Sequence, residues 1–244
     1  MPEEVAQIAP EVVTRPLKIL ICIPSHGDCK TGFAYSLARA MVHFASMPYD
    51  GEKALDVDFI KSSLLPETRT RLVSRAYKFG ATHILWLDTD MKFPPDTIAR
   101  LLNHNKMVVG ANYSTKEIES RPVAYREDED YVGPVWTQDS SKGLQQVTFL
   151  GMGVMLTDIR VFDVLKLPWF VFDPLPPDFI KQSGEDGYFC HKLREAEFEV
   201  FIDHDLSKQV VHIGDAEYTT QHAVLSQQTK LQQYDDLPGG IVIP

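Results

Sequence analysis

Residues 83–96, His-Ile-Leu-Trp-Leu-Asp-Thr-Asp-Met-Lys-Phe-Pro-Pro-Asp, constrain the fold more than any other stretch. Ile84-Leu85-Trp86-Leu87 is an unbroken apolar run, the pattern of a strand buried on both faces of a sheet. It ends at once in two carboxylates, Asp88 and Asp90. A buried unpaired charge is costly, so something cationic is expected beside them. In open α/β sheets, ligands bind at the edge formed by the carboxyl ends of the strands. Pro94-Pro95 then opens a helix. The stretch predicts a central strand that delivers an acidic corner to a metal and phosphate site.

The flanking sequence supplies the rest of an α/β domain. Leu17 to Ile23 reads as a first strand closed by Pro24-Ser25-His26-Gly27, a small polar loop suited to close ligand approach. Residues 32–46 place Phe33, Leu37, Ala40, Met41 and Phe44 at helical spacing, and Leu55 to Ile60 alternates like a second strand. Pro66 to Phe79, followed by Gly80, has the proline-first, glycine-last asymmetry of a helix. A short helix over 94–103 and a buried strand over 106–111 follow the acidic corner. This β-α-β-α-β-α-β order implies a mainly parallel central sheet with helices on both faces.

Beyond that point the pattern is less regular. A polar stretch over 113–142 is expected to cover the site. Strands are expected over 145–150, 198–202 and 210–213, with helices over 158–165 and from Ser183 to about Ala196. Residues 168–178 read as a Pro- and aromatic-rich loop. Residues 1–16 are expected to be a flexible arm, 17–214 one catalytic domain, and 215–244 a polar tail.

A chain of 244 residues with 44% apolar and 24% charged residues suits one globular domain. Its net charge of −10 argues against a large electrostatic footprint on nucleic acid. No apolar run approaches a membrane span, and Met1-Pro2-Glu3-Glu4 does not open a signal peptide. Three cysteines without a Cys-x-x-Cys spacing predict neither a disulfide framework nor a zinc knuckle. A reduced, cytoplasmic setting is the expectation.

Asp88 and Asp90, two residues apart at a strand end, can point both carboxylates the same way. Hard oxygen donors of this kind suit Mg²⁺ or Mn²⁺ bridging phosphate oxygens. The plain alternative is one aspartate capping the next helix and the other solvated. His212, in Val210-Val211-His212-Ile213-Gly214, can serve as a third ligand, and its nitrogen favours Mn²⁺. It can equally be a hydrogen-bonded core histidine, and His204 and Asp205 are weaker rivals.

Glu185 and Asp186 open a helix whose dipole favours their ionised forms, so either can act as a base toward an incoming hydroxyl. Ser183-x-x-Asp186 also reads as a capping box. Of Arg69, Arg71 and Arg75 on the preceding helix, Arg71 is the candidate for a diphosphate or ribose contact. No dinucleotide fingerprint, P-loop or nucleophile elbow is present.

Four segments in order resemble the GT-A glycosyltransferases, particularly the family 2-like group: Ile19 to Ser25, Arg71 through Asp90, Phe149 to Leu156, and Gly184-Glu185-Asp186 through Ala196. Together they span roughly residues 17–214. The resemblance implies a GT-A fold and a nucleotide-sugar donor, in the first place a UDP-sugar. The donor would be held by Pro24, Ser25 and His26, with Asp88 near the ribose and diphosphate. Asp90 would ligate Mn²⁺ or Mg²⁺, and the late Val-x-His segment would make His212 a further ligand. Glu185 and Asp186 would lie on the acceptor side, one serving as base in inverting members, and Gly151-Met152-Gly153 would leave room for a sugar. The acceptor would be a glycan or another hydroxyl compound, with a modified nucleic-acid base less favoured. The usual Arg-Asn before the central strand is Arg71-Leu72 here, and Glu197 stands where the family has Gly. Inverting and retaining outcomes both stay open. So do two other classes: nucleotidyl transfer on a similar sheet, and a non-catalytic sugar- or nucleotide-binding module.

Overall fold

A computed structural model describes residues 15–117, 119–129, 131–174, 182–214 and 217–235. Most of the expected N-terminal arm, part of the 168–178 loop and the last nine residues lie outside them.

The first half follows the predicted alternation. Strand β1 (Leu17–Ser25), helix α1 (Thr31–Ser46), strand β2 (Lys53–Lys61), helix α2 (Leu65–Phe79) and strand β3 (His83–Leu87) come in order. Helix α3 (Thr97–Asn103) and strand β4 (Val108–Gly110) follow. Helix α2 carries Pro66 in its first turn and stops at Gly80, which adopts the left-handed conformation (φ 72°) that glycine takes without a Cβ penalty. Ile84, Leu85, Trp86 and Leu87 are all fully buried, as expected of a strand covered on both faces.

Strands β5 (Leu144–Val147) and β6 (Val154–Asp158), helices α4 (Arg160–Val164) and α5 (Glu185–Glu195), strand β7 (Val200–Asp203), and helices α6 (His204–Ser207) and α7 (Thr220–Asp235) complete the main elements. The seven strands form one sheet in the order β2-β1-β3-β6-β4-β7-β5. Five run in one direction, while β6 and β5 run against them. The sheet is thus mostly parallel, with helices on both faces, as the sequence predicted. The antiparallel insertion of β6 between β3 and β4 was not legible in it.

Alternation along the strands divides the core. Leu20, Cys22, Ile84 and Trp86 face Leu72, Val73 and Ala76 of α2 and Phe189 and Leu193 of α5. Ile19, Ile21, Ile23, Leu85 and Leu87 face Phe33, Ala40 and Phe44 of α1 and Ile98 and Leu101 of α3. Each wholly buried aliphatic or aromatic side chain stabilises by roughly 1.5–3 kcal/mol, so both layers are tied firmly to β3.

The late strand at Val211–Ile213 is not part of this sheet. It pairs antiparallel with Met91–Lys92, just after the acidic corner, and with Glu217–Tyr218. The expected polar tail contains α7, a sixteen-residue helix. Among the described residues no helix is long and apolar enough to cross a membrane.

Candidate active site

The acidic corner stands at the carboxyl end of β3, held from three directions. The Asp88 amide donates to the Gly153 carbonyl just before β6 (3.1 Å), and the Thr89 carbonyl accepts from the Lys30 amide in the loop after β1 (2.9 Å). The Ile213 amide donates to the Asp90 carbonyl (2.7 Å), which brings the late strand against the corner. Neither aspartate caps a helix: the residue before α3 is Asp96.

That last contact assembles the metal candidates. His212 pairs with Met91 in register, and its Nε2 lies 3.5 Å from Asp90 Oδ1. Its Nδ1 is 2.9 Å from the Ser114 carbonyl oxygen. A carbonyl can only accept, so Nδ1 carries the hydrogen and the Nε2 lone pair faces Asp90. Asp90 Oδ1 is buried and has no hydrogen-bond partner. Two lone-pair atoms facing each other at this distance call for a cation or a proton between them. An oxygen and an imidazole nitrogen are the donor types that Mn²⁺ accepts. Among the described residues no set of three His, Cys, Asp or Glu side chains surrounds a common point. That is compatible with Mg²⁺- or Mn²⁺-type sites, where substrate phosphate and water complete the shell.

Asp90 Oδ2 accepts a hydrogen bond from the Lys116 ammonium. Burial opposes the charge on Asp90, but the neighbouring His212 and the Lys116 ammonium outweigh it and bring the carboxyl down to about 2. Asp90 is therefore ionised at any ordinary pH.

Asp88 meets a different cation. Arg69 lies buried beneath the corner, its Nε 3.0 Å from Glu185 Oε1, its Nη2 3.4 Å from Asp88 Oδ1 and its guanidinium 5.5 Å from the centre of the Trp86 ring. A planar guanidinium can bridge two carboxylates in this way and stack on an aromatic face at once. The structure thus brings Arg69, not Arg71, to the acidic corner. Residues two apart on a helix face nearly opposite directions, and Arg71 is 57% exposed beside Glu67 of its own helix.

The Arg69 clamp also separates Glu185 from Asp186. Glu185 is buried and paired, whereas Asp186 is only half-buried and takes its hydrogen bond from the Gly187 amide (2.8 Å). Burial first, and then the neighbouring charge of Glu185, push the Asp186 carboxyl up to about 6. That is the range of a useful general base. The capping box is not formed: Gly184 precedes the helix, with no side-chain cap.

The loop after β1 meets the corner through the Lys30 amide. Pro24 and Ser25 end β1 in register with Ile60 and Lys61, and Ser25 Oγ accepts from the Gly27 amide (3.0 Å), leaving His26 exposed. The small residues at 151 and 153 have another explanation than room for a sugar. The Tyr113 ring fills that space: a Cβ at Gly151 or Gly153 would stand 2.7 or 2.6 Å from its hydroxyl. Tyr113 is buried, bonds the Gly153 amide (2.9 Å) and packs edge-on against His212 at 5.4 Å. His204 is eliminated as a ligand because Thr137 and Gln145 engage both of its nitrogens. Tyr113 and Lys116, in the polar segment after β4, carried no sequence signal. Their roles depend on where the late strand docks.

The chain matches no protein-family model and no curated protein sequence. Among solved structures it is similar to A197 from STIV, with a TM-score of 0.55 at 16% identity over 84% of this chain and 91% of that one. This shows a shared fold. A nucleoside-diphosphate-sugar pyrophosphorylase from Vibrio cholerae RC9 aligns with a TM-score of 0.42 at 11% identity, over 86% of this chain and 99% of that one. So distant a likeness carries no argument about function.

Proposed function

We propose that the chain is a metal-dependent glycosyltransferase of the GT-A type, moving a sugar from a nucleotide-diphosphate sugar, first of all a UDP-sugar, to an acceptor hydroxyl. The observation that carries this reading is the unpartnered Asp90 Oδ1 facing the His212 lone pair at the ligand edge of the sheet. With Asp90 and His212 as its protein ligands, Mn²⁺ or Mg²⁺ would neutralise charge on the leaving diphosphate.

The remaining steps belong to the chain's own residues. Pro24, Ser25 and His26 border the donor's nucleotide, and Asp88, oriented by Arg69, faces its ribose and diphosphate. Asp186 takes the proton from the acceptor hydroxyl, which then displaces the nucleotide with inversion. Glu185, tied to Arg69, positions α5 rather than accepting that proton. Tyr113 and the Ser114 carbonyl hold the imidazole of His212 in its working tautomer.

The test is a panel of UDP-sugars and other nucleotide sugars incubated with Mn²⁺ and scored for nucleotide release, using the natural chain and Asp90→Ala. Release that needs both Mn²⁺ and Asp90 is expected. Failure of every donor to bind or to be hydrolysed overturns the reading.

A further inference from the structure

Asp90 divides its two oxygens between different partners. Oδ1 is buried and faces His212, while Oδ2 is held by the Lys116 ammonium. The lysine is not a loose surface charge. It projects from a turn closed by Thr115 N to Arg121 O (2.8 Å), Ser114 Oγ to Ser120 Oγ (2.8 Å) and a bridge between Ser114 and Pro122. Its aliphatic stem lies along Gly214, where a Cβ would come within 3.1 Å of Lys116 Cδ. The same turn supplies the Ser114 carbonyl that orients His212. One short segment therefore aims both a neutral nitrogen and a cation at a single carboxylate. The neighbouring acid, Glu117, is already engaged by Arg121 (3.1 Å).

We propose that Lys116 is a protein-borne cation that shares Asp90 with the divalent metal. Its ammonium holds Oδ2 before the metal binds and then turns to the leaving diphosphate. This rests on reading the corner as a metal and diphosphate site. Two cations crowded on one carboxylate repel each other, so the arriving metal frees the lysine. At 38% exposure the side chain can swing without opening the core. An ammonium on a flexible stem, with three rotatable donors, suits phosphate oxygens. The diphosphate gains negative charge as the bond to the sugar breaks, and a released ammonium beside it meets that charge.

Mn²⁺ titration of the full chain by calorimetry, without nucleotide, tests the first half, and titration of UDP at saturating Mn²⁺ tests the second. Lys116→Gln is expected to bind Mn²⁺ about fivefold more tightly, the scale of losing a competing surface ion pair. The same variant is expected to bind UDP about tenfold more weakly, the scale of one hydrogen bond between charged groups. Lys116→Arg should restore both toward the natural values. If Asp90→Ala abolishes Mn²⁺ binding while Lys116→Gln leaves both affinities unchanged, the role of Lys116 is overturned and the metal site stands. If neither the natural chain nor Lys116→Gln binds Mn²⁺, the reading of the site falls and the inference with it.

Discussion

Asp90 and Asp158 belong to opposite edges of one sheet, and they show what separates an open carboxylate from a saturated one. Asp158 ends β6, opposite His83 in register. Its Oδ1 accepts from the Arg160 amide and Nε, both at 2.9 Å, and its Oδ2 accepts from Arg160 Nη2 (2.7 Å) and Arg15 Nη1 (3.4 Å). Burial opposes its charge, yet these bonds hold it below the usual carboxylate range. Both Asp158 and Asp90 are shielded and both carry depressed pKa values, but Asp158 is saturated and Asp90 keeps an unpartnered oxygen. A cavity of about 510 Å³ lies at the Asp158 edge, lined in part by Tyr49, His83 and Arg160. Cavities of similar volume lie elsewhere among the described residues, so cavity size does not single out the acidic corner. Saturation points to it, because a carboxylate whose lone pairs are all engaged has nothing left for a ligand.

The comparison is broken most directly by exchanging the two losses. Asp90→Ala is expected to lower kcat/KM for sugar transfer by on the order of a thousandfold, with little change in the urea midpoint. Asp158→Ala is expected to do the reverse, lowering stability by roughly 1.5–3 kcal/mol while Mn²⁺ affinity stays the same. Equal loss of Mn²⁺ binding in both variants would end the distinction.

Arg69→Met tests the other half of the acidic corner, where one guanidinium bridges two carboxylates. It leaves Asp88 and Glu185 without their shared cation, and a drop of about 3–5 kcal/mol in unfolding free energy is expected by denaturant titration. His212→Gln should weaken Mn²⁺ binding by on the order of tenfold to a hundredfold without a comparable loss of stability.

Acidity gives a gentler test. In the proposed mechanism Asp186 acts as a carboxylate and protonation removes it, so kcat/KM should rise with pH through about 6 and level off above. Asp186→Asn should abolish that limb along with most of the turnover. The smallest effect belongs to Arg71→Ala, whose exposed pair with Glu67 predicts a change in UDP affinity of less than about twofold.

Local pattern carried far in the first half of the chain. The apolar run at 84–87, the Pro66 start and Gly80 stop of α2, and the strict β-α alternation each have one favourable local solution. Those solutions add up to a mostly parallel sheet that ends in Asp88 and Asp90. A cation was expected beside Asp88 without being identified as an arginine, and Arg69 and Arg71 share a helix. The sequence could not say which of them turns inward. That choice follows from the rotation of α2 as Leu72, Val73 and Ala76 pack on β3.

The second half shows where local pattern stops. His212 and His204 each sit in a short, partly apolar stretch, and nothing local separates them. Only the tertiary structure engages both nitrogens of one with Thr137 and Gln145 and leaves the other facing Asp90. The antiparallel course of β6, the Tyr113 ring against Gly151 and Gly153, and the reach of Lys116 depend equally on partners far away in the chain. The amino-acid sequence by itself determined the parallel first half of the sheet, its acidic corner and the helix that begins at Glu185. Tertiary structure alone decided which atoms of that corner are satisfied and which remain open, because saturation depends on neighbours that 3.6- and 2-residue periodicities do not encode.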